Sequence, residues 1–264
     1  MKPSLLVSYA HLRRNGIIPL PGRAFDEWVL DSGAYTAANT GEVIDVELFI
    51  QFARDAAARD VRLRHVFALD VIGNAEASLK NALKAQAEGV RVIPTWHAGE
   101  PIEFAQEMKL KFPRIALGGL VARLRNNRAQ KLSTREKIRH ATNFFNAVWP
   151  AWVHGFGCTG DEIMDEFPFS SVDSTTWNLR PSMYGSWKTY GRLPLRFSSS
   201  LRGSLRTEIE FFMRRESRHD SIWRRELALV GCDRFRVRFA CAPATIKWFD
   251  QMFPTTEPTQ EKTT

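Results

Sequence analysis

The chain has 264 residues, 44% of them apolar and 25% charged, the balance of a folded globular protein rather than a disordered or fibrous one. A formal charge of +8 and a sequence pI near 9.7 favour a polyanionic partner, although basic charge alone supplies only nonspecific attraction. No apolar run approaches the ~18 residues of a membrane span, and the apolar stretch of MKPSLLVSYAHLRR is too short for a signal peptide, so a soluble cytoplasmic protein is expected.

Cys158, Cys232 and Cys241 are odd in number and widely spaced. They form neither a disulfide framework nor a CxxC zinc pattern, which fits a reducing compartment.

In chain order, Leu5–Tyr9 reads as a short strand and Ile17–Pro21 as a loop. Trp28–Leu30 is the next strand and ends at Asp31-Ser32-Gly33. Apolar periodicity predicts a helix over Val46–Arg59, with Leu48, Phe49, Phe52 and Ala56 on one face. His65–Leu69 is a strand ending at Asp70, and Asn74 caps a helix from Ala75 to Glu88 that stops at Gly89. Val90–Ile93 leads into Pro94-Thr95-Trp96-His97, and Pro101 opens a helix to Lys111. Arg114–Leu117 ends in Gly118-Gly119-Leu120, and Ser133 begins a helix to Val148. Trp152–His154 ends in Gly155-Phe156-Gly157, and a short helix over Thr159–Glu166 precedes a strand at Phe169–Asp173. Strand and helix repeat about every 25 residues, the pattern of parallel pairing with right-handed crossovers. Seven units are visible before residue 178 and the eighth is degraded, so a closed (β/α)8 barrel fits better than an open doubly wound sheet.

Asp31, Asp70 and Asp173 then all fall at carboxyl ends of strands, where such a barrel places its chemistry. Each alone reads equally well as a cap or turn aspartate; three together make a candidate site. His97 and His154 also lie at strand ends, where a structural role is the expected one, and Cys158 is expected as a small buried thiol. Gly155-Phe156-Gly157 at a helix start is a weak phosphate signal.

After Trp177 the character changes. Asn178–Ser204 reads as a long loop, Leu205–Arg218 and Ser221–Val230 as helices, Arg234–Phe239 as a strand, and 254–264 as a disordered tail. Twelve arginines between residues 192 and 238, Arg202 and Arg206 among them, are interleaved with Phe197, Phe211, Phe212, Trp223 and Phe235. That mix suits phosphate contact and base stacking, or else a solvated helix face. A second basic run, with Arg123, Arg125, Arg128, Lys131, Arg135, Lys137 and Arg139, follows the GGL loop. The single domain is expected over 1–253, with 178–240 as its basic portion.

With DSGA, FALD, ALGGL, HGFG and VDSTTW in that order over residues 28–177, the chain resembles the tRNA-guanine transglycosylase superfamily. The resemblance implies an α/β barrel that exchanges a guanine in nucleic acid for a 7-deazaguanine. Asp31-Ser32-Gly33-Ala34 matches the family's DSGGFQ loop, Asp70 its base-reading aspartate, and Gly118-Gly119-Leu120 its GGL loop. Gly155–Asp161 matches its GxGTPxD turn, and Asp173 falls at the place of the nucleophile. The C-x-C-x2-C…H zinc site of the tRNA enzymes has no counterpart, the chain is shorter, and Pro94-Thr95-Trp96-His97 replaces their glutamine-glycine loop. In those respects the chain is similar to the short phage-type 7-deazaguanine DNA transglycosylases, which would work in the host cytoplasm.

The resemblance implies Asp173 as the carboxylate that attacks C1′, with Ser174 and Thr175 as supports, and Asp31 as the acid/base for the purine. Asp70 would accept from N1–H and the 2-amino group of the base, a role suited to an ionised carboxylate. Ser32, Gly33, Gly118 and His97 would line the base pocket, Gly119 and Leu120 would offer backbone groups to O6 or the 7-substituent, and Tyr35, Trp96 or Phe156 would stack on the ring beside Gly155. No cofactor or metal is implied. DNA and a free 7-deazaguanine are the expected partners, a homodimer is compatible with the basic surface, and a duplex guanine would have to be exposed first. Three readings compete: tRNA as the substrate, a metal-dependent barrel hydrolase or lyase in which the aspartates hold Mg²⁺, and a nucleic-acid-binding barrel without chemistry.

Overall fold

Apolar runs of a few residues form strands, and the amphipathic segments between them form helices, in a computed structural model that describes residues 4–15, 27–120, 122–125, 128–173, 214, 218–219 and 238–239. In order these are β1 (Ser4–Ser8), α1 (Tyr9–Asn15), β2 (Glu27–Asp31), α2 (Ala34–Thr40), α3 (Val46–Arg59), β3 (Leu63–Phe67), α4 (Ala75–Ala87), β4 (Val92–Ile93) and β5 (Thr95–His97). Then follow α5 (Ile102–Lys111), β6 (Arg114–Gly118), β7 (Ala122–Arg125), β8 (Arg128–Lys131), α6 (Thr134–Val148), β9 (Trp152–Gly155), α7 (Asp161–Met164), β10 (Ser171–Val172) and β11 (Arg238–Phe239).

The helix boundaries follow capping chemistry. Asp45 accepts from the amides of Glu47 and Leu48 at the start of α3, and Asn74 from Ala77 at α4. Ser133 and Glu136 form a reciprocal capping box on α6. Phe49, Phe52 and Ala56 of α3 face the core as expected, joined by Ile50 and Ala53, whereas Leu48 is exposed. Two short helices, α1 and α2, and the antiparallel hairpin β7–β8 were not expected from the sequence pattern.

Parallel pairing runs β1–β2–β3–β4 in one sheet and β5–β6–β9–β10–β11 in the other. β4 and β5 are two halves of one run broken at Pro94, which has no N–H to donate. Across the break, Ala68 N–H bonds to Ile93 O at 2.9 Å and Ala116 N–H to Pro94 O at 2.8 Å. Among the described residues, the parallel strands therefore occupy eight places in chain order, with β11 paired to β10. Among the described residues the order never reverses, as it would at the switch point of a doubly wound sheet.

Strand alternation separates two cores. Leu30, Val66, Val92, Ile115, Leu117 and Val153 face the helices and join the larger cluster with Phe49, Met108 and Phe144. The other face gathers Leu6, Val29, Phe67, Ile93, Ala116, Trp152 and Phe156 from β1 through β9 and the loop after it. Phe67 on β3 meets His154 and Phe156 of the β9 region with ring centroids 4.6 Å apart in both cases. Neighbouring strands are ~4.8 Å apart, so a flat sheet would separate β3 from β9 by about 14 Å. Contact at that range requires the sheet to curl around its inner face.

Among the described residues, no helix is long and apolar enough to cross a membrane. The tail at 254–264, the loop at 178–204, Arg202 and Arg206 lie outside the described residues, as do the expected supports Ser174 and Thr175. Of the basic portion, the described residues include Arg218 and His219, which reach the α7 region: Arg218 Nη2 lies 3.1 Å from Asp165 Oδ2, and buried His219 lies 3.0 Å from Asp165 Oδ1.

Candidate active site

β2 ends in an aspartate because Ser32 and Gly33 turn the chain at once. Gly33 has φ +79, and a Cβ there would lie 2.5 Å from both Ser8 Oγ and Ala10 Cβ. The tight turn lets Gly33 N–H donate to Asp31 Oδ2 at 3.0 Å. Asp31 shares the inner face with Ser8, its register partner on β1. Burial, then the negative charges of Asp70 and Asp173, raise its pKa from the usual 3.8 to about 7, against the backbone hydrogen bonds that lower it. The carboxylates from the ends of β2, β3 and β10 thus sense one another electrostatically.

Asp70 is held from both sides. Buried Ser32 donates through Oγ to Asp70 Oδ1 at 3.0 Å, and His97 Nε2 sits 2.6 Å from Oδ2. Burial alone would lower the His97 pKa, but the hydrogen bond and charge of Asp70, with the charge of Glu100, outweigh it and leave it raised. Glu100 accepts from His97 N–H at 2.9 Å and Gly73 N–H at 3.2 Å, tying the loops after β3 and β5 together. Its own pKa is raised, chiefly by burial. An ionised carboxylate has about four acceptor positions, so Asp70 can still accept from a ligand edge.

Asp173 follows β10, its backbone N–H 3.4 Å from Gly155 O. Gly157, with φ +67, donates its N–H to Asp173 Oδ1 at 2.8 Å. That amide is therefore spent on a carboxylate of the site, and the helix that follows has only four residues, which argues against the phosphate-loop reading of Gly155-Phe156-Gly157. Cys158 is buried, and burial, then the Asp173 charge, push its thiol far up, so it stays protonated as expected of a structural cysteine.

Gly118 and Gly119 leave room for this network. A Cβ on Gly118 would lie 2.7 Å from His97 Nδ1, and one on Gly119 3.1 Å from Ala98 N. Gly118→Ala is expected to push His97 off Asp70, costing about 1–3 kcal/mol in urea unfolding.

Not every expected residue reaches the site. Trp96 lies between Thr95 and His97 on β5, so alternation sends it outward; it is 2% exposed and stacks on Phe144 with centroids 5.3 Å apart. Its Nε1–H donates to Pro101 O at 3.1 Å. A base-stacking role for Trp96 is corrected to a core role. Trp96→Ala is expected to cost ~3–5 kcal/mol in denaturant unfolding; an alanine variant as stable as wild type would reverse this assignment. The side chain of Leu120 is likewise buried in the larger core. Tyr35 is exposed on the first turn of α2, and Phe156 remains against Phe67 on the inner face.

Arg123, Arg125 and Arg128 lie in the hairpin that leaves the GGL loop. Its register pairs Ala122 with Lys131, Arg123 with Gln130, Leu124 with Ala129 and Arg125 with Arg128. Glu100 and Ser8 were not among the expected site residues, since no motif marks them. Among the described residues, no group of three or more His, Cys, Asp or Glu side chains is arranged to hold a metal ion. Compared with known proteins, the chain matches no protein-family model and no curated protein sequence.

Proposed function

We propose that the protein is a guanine transglycosylase acting on DNA, built on a closed (β/α)8 barrel. It exchanges guanine for a 7-deazaguanine through a covalent aspartyl intermediate. The observation that carries the reading is Asp31, whose pKa of about 7 is set by burial and by the Asp70 and Asp173 carboxylates. A group poised near neutral pH can give a proton to a departing purine and take one from an incoming base.

In this mechanism Asp173 attacks C1′ while the glycosidic bond breaks, and the bonding pair leaves with the guanine, which Asp31 protonates. The 7-deazaguanine then attacks C1′, loses its N9 proton to Asp31 and restores the Asp173 carboxylate. Asp70, fixed by Ser32 and His97, accepts from N1–H and the 2-amino group. The eight parallel strand places and the β3–β9 ring contacts support barrel closure.

DNA is favoured over tRNA by the hairpin. A two-stranded ribbon that carries Arg123, Arg125 and Arg128 suits the major groove of B-form DNA, whereas the major groove of A-form RNA is too deep and narrow for it. The test incubates the protein with 7-cyano-7-deazaguanine and guanine-labelled DNA or tRNA, with and without chelator. Release from DNA upholds the reading; release from tRNA alone moves the substrate to RNA. No release from either sinks it, and release abolished by the chelator brings the metal-dependent barrel forward.

A further inference from the structure

The register of β5, β6, β9 and β10 sets Thr95, Ala116, His154 and Ser171 side by side. Inward layers of parallel barrels are ordinarily filled by branched apolar side chains; this row carries three polar ones. His154 is 5% exposed and packed by Phe67 and Phe156, with ring centroids at 4.6 and 4.7 Å. Its Nδ1 lies 2.7 Å from Ser171 Oγ. Its Nε2 is buried without a hydrogen-bond partner among the described residues, yet sits 3.5 Å from Asp173 Oδ1.

That pair is longer than a hydrogen bond but within ion-pair range, and catalytic hydrogen bonds are often this long without substrate. A neutral imidazole that accepts from the Ser171 hydroxyl at Nδ1 carries its proton on Nε2, on the side of the carboxylate. Gly157 N–H already holds the same Oδ1 at 2.8 Å, and no described group donates to Oδ2.

We propose that His154 is the positioning residue of Asp173: its Nε2–H and Gly157 N–H clamp Oδ1, leaving Oδ2 as the atom that attacks C1′. The proposal rests on the base-exchange reading. When Oδ2 bonds to C1′, the electron pair of the glycosidic bond leaves with guanine, protonated by Asp31. When the incoming base attacks, the C1′–Oδ2 pair returns to Asp173, and the two N–H groups stabilise the charge that reappears there.

The test compares wild type with His154→Gln, which keeps bulk and an N–H, and His154→Ala with and without added imidazole. In the alanine variant, kcat for guanine release is expected to fall about 10²-fold, with KM for DNA within about twofold and part of the rate restored by imidazole. The glutamine variant is expected to fall between the two. An unchanged kcat, or a loss shared by kcat and KM with lowered melting temperature and no imidazole response, overturns the proposal in favour of a purely structural histidine.

A wild type that releases no guanine from either nucleic acid marks failure of the base-exchange reading instead. The clamp is then decided by NMR of isotope-labelled histidine. A protonated Nε2 whose signal shifts in Asp173→Asn upholds it; a bare Nε2, or one indifferent to that substitution, overturns it.

Discussion

Asp173→Ala is expected to abolish guanine release from nucleic acid, lowering kcat by at least about 10³-fold, while the protein stays folded. Asp173 is largely buried after the two-residue β10, and its described side-chain hydrogen bond is the one its Oδ1 accepts from Gly157 N–H. Losing that bond costs about 1 kcal/mol, far less than loss of a nucleophile takes from catalysis. Wild type should also form a covalent adduct with DNA that survives denaturation when the incoming base is withheld, and Asp173→Asn should form none. The charge of Asp173 helps hold the Asp31 pKa up, so the two carboxylates are coupled. The Asp31→Asn/Asp173→Ala double variant should therefore be little worse than Asp173→Ala alone. An alanine variant with wild-type release would remove Asp173 from the mechanism.

The positions of the three aspartates were legible because strand ends are short-range features: an apolar run stops, small residues turn the chain, and the carboxylate falls where they meet. Asn74, Ser133 and Gly89 marked helix ends for the same local reason. What was not legible depends on which face a strand residue takes. Trp96 and His97 look alike as strand-end aromatics, yet Pro94 sets an alternation that sends Trp96 into the core against Phe144 and His97 onto Asp70. Helices α1 and α2 are only seven residues each, too short for periodicity to stand out. The hairpin was hidden by its charge. Ala122–Arg125 and residues 128–130 alternate small or apolar with polar positions around Asn126-Asn127, a strand signal that a run of arginines conceals. The meeting of His154 with Asp173 has no local signature, because it follows from the pairing of β9 with β10.

Asp31 carries the prediction that joins stability to mechanism. As the acid that protonates the departing guanine it must be protonated, so single-turnover guanine release should fall as pH rises through about 7, the value to which its pKa is raised. Asp31→Asn should lose that limb and lower release by about 10²- to 10⁴-fold. The stability of Asp31→Asn should move opposite to its activity. Between the ordinary carboxylate pKa of 3.8 and about 7, the native state holds a proton that the unfolded chain has released. Wild-type stability therefore declines as pH rises through that window, by an amount on the order of a few kcal/mol. An asparagine has no proton to lose, so the variant should melt like wild type near pH 4 and above it at pH 8, the stability–activity exchange expected of a strained catalytic group. Melting curves from pH 4 to 9 beside single-turnover rates decide it: parallel melting profiles would show that Asp31 is not perturbed, and an unchanged release limb in the variant would show that another group supplies the proton.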